Sequence, residues 1–332
     1  MKSKIKFGII GCSSIAKKSA IPSIIMGNNS TLESIGSRTI QKSKKIAKEF
    51  SCSNFGTYDE ILENDNIDAV YISLPMSLHE KWVIKAARSG KHILCEKSTS
   101  LSYDSAKKII RECKKNDVLI KENFTFKLHP QHKKILGLIK KNTIGDINTF
   151  SARYSFNLPG SKKNLRFNKK LGGGSLNDVG CYLISACIFI FDEIPKSIFC
   201  NLNMDKKFGV DTSGNILLNF TNNKIGILSF GYKNYFQSTY DVWGNKGIIK
   251  SERAFNPSNR MKSIISIHQN DKVRKIIIPE SDQFQLTIEN FCSTIQKNSR
   301  RNVYEKEFLN QALIMNAARI SNTKHSVIKI KN

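Results

Sequence analysis

The feature that most constrains this chain is the regular alternation of short apolar runs with amphipathic stretches in its amino-terminal third. Strands separated by helices of that size pack as a parallel, doubly wound sheet. The run Ile5 to Ile10 is followed at once by Gly11-Cys-Ser-Ser-Ile-Ala16 and a helix-like stretch to Ile25, which is a strand, a tight turn and a helix. Leu32 to Ser37 leads into the amphipathic segment Gln41 to Phe50, and Ile67 to Ser73 has the composition of a strand buried on both faces. Leu74-Pro75 and a helix ending at Gly90 come next, then His92 to Cys95, a helix from Tyr103 to Lys115, and Val118 to Lys121.

Beyond residue 123 the rhythm changes. A helix from Gln131 to Lys141 precedes a strand in which Phe150, Ala152, Tyr154 and Phe156 alternate onto one face. Asn215 to Phe220 and Ile225 to Phe230 flank Thr221-Asn-Asn-Lys224, a hairpin turn, and Gly244-Asn-Lys-Gly247 makes another. Helices near 282 to 298 and 304 to 320 close the chain. The expected architecture is an α/β Rossmann domain with a parallel doubly wound sheet, residues 1–122, and an α+β domain with a large, mostly antiparallel open sheet, residues 123–332. At 332 residues two domains are the default for one chain. Apolar residues along the second sheet, among them Ile216, Leu218, Phe220, Ile225 and Ile227, lead us to expect its uncovered side to be buried in a homodimer or homotetramer.

Charge is the unusual property. Lys and Arg number 53 against 27 Asp and Glu, a formal net charge of +26, and such an excess favours polyanionic partners. The basic residues are scattered as pairs such as Lys17-Lys18 and Lys140-Lys141, without a basic arm, helix-turn-helix, RNP aromatic pair or zinc-finger spacing. No nucleic-acid partner is therefore expected, and the lysines serve as a solvated surface. Eight cysteines form no CxxC pair and no cluster at metal-ligand spacing, so no metal is expected and a reduced cytoplasm suits them. No signal peptide or uncharged run of membrane-spanning length is read, so neither secretion nor a membrane partner is expected.

A dinucleotide fold needs small residues where the first turn bends, where it approaches the pyrophosphate and where helix meets strand, because a Cβ would clash at each place. Here Gly11, Ser13 and Ala16 occupy them, a degraded version of the glycine pattern. At the end of the second strand an acid would hold the ribose 2′-hydroxyl of NAD(H), whereas an arginine clamps the 2′-phosphate of NADP(H). The chain has Ser37-Arg38 there, and Glu33 lies within the strand, so NADP(H) is expected over NAD(H). A surface arginine opening a loop is the plain alternative.

Four segments in order, Gly11 to Ala16, Ser73-Leu-Pro-Met-Ser-Leu-His79, Gly90-Lys-His-Ile-Leu-Cys-Glu-Lys97 and Gly172-Gly-Gly-Ser-Leu-Asn-Asp-Val-Gly-Cys-Tyr182, resemble the glucose-fructose oxidoreductase family (Gfo/Idh/MocA) over nearly the whole chain. Glu122-Asn-Phe-Thr-Phe-Lys-Leu-His-Pro-Gln131 is similar to the branch containing nucleotide-sugar 3-ketoreductases and xylose and dihydrodiol dehydrogenases. The resemblance implies a catalytic Lys97, with Tyr182 as general acid/base and Asp178 orienting substrate. It also implies a cofactor site made by Gly11, Cys12, Ser13, Ser14, Ile15, Ala16, Ser37, Arg38, Leu74, Pro75, His79, Glu96 and Lys97. Asn123 and Arg166 join Asp178 and Tyr182 as candidate substrate contacts, and His129 as a candidate for the cleft.

That assignment agrees with the chemistry. Reduction of a ketone needs positive charge where the alkoxide develops and a group that supplies a proton. Lys97 follows a strand end, where ligands of such sheets bind. Asp178 and Tyr182 lie four residues apart, on one face of an α-helix. Taken singly, Lys97 suits a solvated strand end, Asp178 a helix cap and Tyr182 a packed aromatic; their joint occurrence favours the site. The family carries proline after the catalytic lysine, but this chain has Ser98, and a cis bond before a non-proline residue costs about 2.5 to 4 kcal/mol.

The expected activity is hydride transfer to or from a sugar, most directly reduction of a keto group on a nucleotide-linked sugar. Oxidation of a free aldose, cyclitol or diol is the alternative within the enzyme class. A catalytically silent NADP(H) sensor is the alternative outside it.

Overall fold

The computed structural model describes residues 3–330. Six strands, β1 (Ile5–Ile10), β2 (Ser30–Gly36), β3 (Asn54–Gly56), β4 (Ala69–Ile72), β5 (His92–Cys95) and β6 (Ile120–Glu122), form one sheet in the order β3-β2-β1-β4-β5-β6, parallel throughout. Every residue of β4 is buried, as a strand covered on both faces requires. The helix Tyr103–Lys115 has the bounds expected from the sequence: Ser102 caps it by accepting from the Ser105 amide at 3.1 Å, and Ala106, Ile109, Ile110 and Cys113 form its buried stripe. The short β3 and the helix Tyr58–Glu63 that follows it are not apparent from periodicity. The helix is nonetheless signalled by a capping box, Thr57 and Glu60, closed by hydrogen bonds in both directions.

Nine further strands, β7 (Ile147–Ser155), β8 (Ser197–Asp205), β9 (Val210–Asn219), β10 (Ile225–Gly231), β11 (Gln237–Gly244), β12 (Gly247–Ser251), β13 (Ser263–Gln269), β14 (Lys272–Ile278) and β15 (Ile328–Lys329), form the second sheet. Its order is β14-β13-β12-β11-β7-β10-β9-β8-β15, antiparallel except where β10 pairs with β7. The hairpin at Thr221 to Lys224 and the turn at Gly244 to Gly247 stand where the sequence puts them. One face, with Phe150, Ala152, Tyr154, Ile216, Leu218, Leu228, Phe230, Tyr240 and Val242, is buried. The other exposes Phe199, Leu217, Ile227, Trp243 and Ile264, and Leu217 stands opposite both Ile227 and Phe199. This corrects the expectation for the open side. Ile216, Leu218 and Phe220 are core residues, and Leu217 joins Ile227 outside, because neighbouring residues of a strand point to opposite faces.

The chain divides into two compact units whose boundary at Thr125 lies close to the expected one, but the division at the carboxyl side is different. Phe284–Leu309 belongs with the amino-terminal unit, not with the second domain to which residues 123–332 were assigned. The helix Gln283–Lys297 buries Ile288, Phe291 and Cys292 in one cluster with Phe7, Ile9 and Leu119, and the Phe7 and Phe291 rings lie 6.1 Å apart. A boundary drawn as a single cut cannot anticipate a helix that returns to cover an earlier sheet.

Lys169–Phe191 is long and apolar enough to cross a membrane by length and composition, although it carries Lys169, Lys170 and Asp178, and 83% of its most apolar window is buried inside the protein. Leu183, Ile184, Ala186 and Cys187 are core residues of the second unit.

Candidate active site

In the first unit the carboxyl ends of β1, β2 and β4 are tied together. Gly11 has φ +104°, and a Cβ there would lie 2.8 Å from Leu74 Cδ2 and 3.1 Å from the Ser73 carbonyl oxygen, so only glycine fits the turn. Its amide donates to the Gly36 carbonyl at 3.3 Å, and its own carbonyl accepts from Ser73 Oγ at 2.7 Å. Ser13 Oγ accepts from the Ala16 amide at 3.1 Å, opening the helical stretch from Ala16 to Met26. Ser14 and Ile15 are exposed on this turn, and Cys12 lies half-buried beneath them, its thiol pKa raised by burial.

A tight, exposed turn ahead of a helix is the kind of backbone with which dinucleotide folds receive a pyrophosphate. At the end of β2, Ser37 is buried, Arg38 is exposed, and the nearest strand acid, Glu33, is engaged by Asn54 Nδ2 at 3.1 Å. The two residues that follow the strand, Ser37 and Arg38, carry no carboxylate.

Lys97 is half-buried at the end of β5 and held through its main chain. The Glu96 carboxylate accepts from Tyr71 Oη at 2.7 Å, from Asn123 Nδ2 at 2.6 Å and from the Lys97 amide, and burial raises its pKa. Two residues on, the Thr99 amide donates to Glu122 Oε1 at 2.7 Å. The Lys97–Ser98 peptide is cis, with serine where the family carries proline. Leu74 and Pro75 are half-buried in the loop after β4. His79 opens the helix His79–Arg88, and its ring nitrogens lie against the carbonyls of Leu74 and Ser98. Asn123, a candidate substrate contact, commits its amide nitrogen to Glu96, and its Oδ1 is buried with no hydrogen-bond partner among the described residues.

In the second unit Asp178 and Tyr182 lie on one continuous helical segment, Leu176 to Phe191. Its first turn, Leu176–Gly180, is π-wound, a wider spiral than the α-helix on which the four-residue spacing was read. Asp178 Oδ2 accepts from Arg166 Nε at 2.5 Å and lies 3.4 Å from Tyr232 Oη, which donates to the Gly174 carbonyl at 3.0 Å. Asp178 in turn raises the Arg166 pKa. The Tyr182 ring packs against Phe126, Tyr154 and Phe255 with centroids 5.5 to 6.0 Å away. The structure thus joins Arg166 to Asp178, and an aromatic box holds the phenol.

The start of this helix is fixed by Asp211, a buried residue that the sequence reading missed. Its Oδ2 accepts from Ser175 Oγ at 2.7 Å and from the Leu176 amide at 2.6 Å. Gly174, at φ +121°, leaves the room: a Cβ there would stand 2.3 Å from Asp211 Oδ1. Tyr71, Glu122 and Tyr232 were missed as well. An ionisable or phenolic group within a strand, or just beyond its end, was the available signal in each case.

His129 is structural at one nitrogen, Nδ1 accepting from the Gln131 amide at 3.3 Å to cap the helix Pro130–Lys140, while Nε2 is buried without a hydrogen-bond partner among the described residues. Among those residues no group of three His, Cys, Asp or Glu side chains could hold a metal ion.

Known proteins fit this arrangement. Residues 5–124 match the oxidoreductase family with an NAD-binding Rossmann fold, and residues 132–250 match the GFO/IDH/MocA C-terminal domain. The dTDP-3,4-didehydro-2,6-dideoxy-alpha-D-glucose 3-reductase of Actinomadura kijaniata is 29% identical over 316 residues, 95% of each chain. A D-xylose 1-dehydrogenase (NADP(+)) of Haloferax volcanii is 27% identical, over 91% of this chain and 92% of that one. Among solved structures, a 3-ketoreductase from Actinomadura kijaniata in complex with NADP and TDP-benzene superposes with a TM-score of 0.92 at 28% identity, covering 96% of this chain and 98% of that one. With both domain types matched in order, the chain belongs to the GFO/IDH/MocA family of NAD(P)-dependent oxidoreductases.

Proposed function

We propose that this protein reduces a keto group on a nucleotide-linked sugar with NADPH. The observation that carries the reading is its similarity, over nearly the whole of both chains, to the 3-ketoreductase solved with NADP and TDP-benzene. The cofactor, when bound, supplies the hydride. Gly11 to Ala16 receive its pyrophosphate, with Leu74, Pro75 and Glu96 along the same sheet edge. The Lys97 ammonium stabilises the alkoxide that develops on the sugar oxygen, Tyr182 supplies the proton, and Asp178, steadied by Arg166, orients the substrate. A direct test follows NADPH absorbance with dTDP-linked 3-keto sugars against free sugars. Turnover of the linked sugars supports the reading. Exclusive turnover of free aldoses, cyclitols or diols would replace it with the reading favoured by the xylose dehydrogenase likeness.

We further assign the 2′-phosphate of NADP(H) to Ser37 and Arg38. Arg38→Ala is expected to weaken NADPH binding by about tenfold or more, the loss of one charge-assisted pair, while NADH binding changes little. Equal losses for both cofactors in a fluorescence titration would remove Arg38 from this role.

Two further assignments complete the reading. The eight cysteines are free, six of them buried, which suits a reducing cytoplasm. The exposed face of the second sheet, with Phe199, Leu217, Ile227 and Trp243, is assigned to a homodimer or homotetramer contact. Light scattering at micromolar concentration is expected to give at least twice the monomer mass; a monomer would refute the assignment.

A further inference from the structure

His79 lies among the loops around Lys97. It is 1% exposed, and both of its ring nitrogens face main-chain carbonyls: Nε2 lies 2.8 Å from the Leu74 oxygen and Nδ1 3.0 Å from the Ser98 oxygen. Leu74 belongs to the loop after β4, and Ser98 is the residue immediately after Lys97. The ring therefore stands between the two loops that rise from neighbouring strands at the carboxyl edge of the sheet.

The turn that carries Lys97 is gripped at three successive residues. Glu96 accepts from the Lys97 amide, His79 faces the Ser98 carbonyl, and Glu122 accepts from the Thr99 amide. Two of these grips are made by carboxylates at the ends of strands β5 and β6, and the Ser98 grip by the ring at the start of the helix His79–Arg88. We propose that His79 is a positioning residue for Lys97, holding the turn through the Ser98 carbonyl so that the ammonium is aimed at the reacting oxygen. Burial lowers the His79 pKa to about 4, against the two carbonyls, which act the other way. A neutral ring has one N–H and donates to one of the two carbonyls at a time. The tautomer with hydrogen on Nδ1 grips Lys97's turn, and the other grips the Leu74 loop.

The inference rests on the assignment of Lys97 to catalysis, and its test separates the two. Asparagine carries its amide nitrogen where Nδ1 stands, and glutamine carries it where Nε2 stands, so the two variants divide the two contacts. The first readout needs no substrate: hydrogen exchange of the Thr99 amide. Protection should fall about tenfold or more in His79→Ala and His79→Gln, and persist in His79→Asn.

The second readout is a double-mutant cycle on single-turnover NADPH oxidation with a dTDP-linked 3-keto sugar. His79→Ala should cost about 10- to 100-fold in the wild-type background, where small misplacements of a catalytic group are expensive, and under twofold in the Lys97→Ala background. Equal costs in both backgrounds, or unchanged Thr99 exchange in His79→Ala, would overturn the inference. Failure of Asn to outperform Gln would do so as well. Full activity of Lys97→Ala alone would instead overturn the catalytic assignment, leaving the exchange result to decide whether His79 holds the turn.

Discussion

Lys97→Ala is expected to lower turnover by about 10² or more while NADPH binding stays within a few-fold of the wild type. Removal of one fixed donor to a developing oxyanion costs on the order of 10² to 10³, and the ammonium adds full charge to that role. Its main chain is pinned through Glu96, whose carboxylate is itself fixed by Tyr71 and Asn123, so the side chain leaves a rigid base. The groups assigned to the dinucleotide, Gly11 to Ala16 with Ser37 and Arg38, do not depend on that ammonium for their geometry. Steady-state turnover together with a cofactor titration measures both quantities. Turnover within threefold of the wild type would remove Lys97 from the chemistry, and a large loss of cofactor affinity would make it a binding residue.

Tyr182→Phe is the companion experiment and the cleaner one structurally. The ring keeps its contacts with Phe126, Tyr154 and Phe255, so only the hydroxyl is lost and the folded state should persist. Removing a general acid typically lowers the rate by about 10² to 10⁴. The expected result is a loss of turnover in that range with unchanged NADPH affinity and unchanged melting temperature. Near-normal turnover on a substrate that the wild type reduces would mean that the proton comes from another group.

Much of the fold is legible in the sequence because its signals are local. The helix Tyr103–Lys115 carries its cap, its apolar stripe and its basic end within one segment. Strand β4 is short and wholly buried, and the hairpin between β9 and β10 is marked by Asn222 and Asn223, both of which take positive φ. The missed parts depend on distant partners. The helix Gln283–Lys297 pairs its apolar face with Phe7 and Leu119, far back in the chain, and no local pattern names that destination. The outward set on the second sheet was misjudged because a run such as Ile216-Leu217-Leu218 is apolar on both faces, so composition alone does not say which residue points out.

The site divides in the same way. Gly11, Lys97, Asp178 and Tyr182 announce themselves through motifs, whereas the residues that hold them do not. Asp211 lies on β9, beyond the helix it caps, and its role exists only once β9 is brought beside Ser175 and Leu176. Asn123 stands beside a motif, and that nearness is all that the local sequence says of it. Its amide proves to hold Glu96, a use set by the pairing of β5 with β6. Arg166 likewise lies near a motif, and the structure pairs it with Asp178.

The central claim is that hydride passes from NADPH to a sugar carbonyl carbon on this protein. Incubation with NADPH deuterated at the transferable position of the nicotinamide ring, together with a dTDP-linked 3-keto sugar, tests it most directly. The account predicts a reduced sugar that carries the deuterium on the former carbonyl carbon, formed at least 10²-fold more slowly by Tyr182→Phe. A reduced sugar without the label, or no reduction of any keto sugar by protein that binds NADPH, would contradict it.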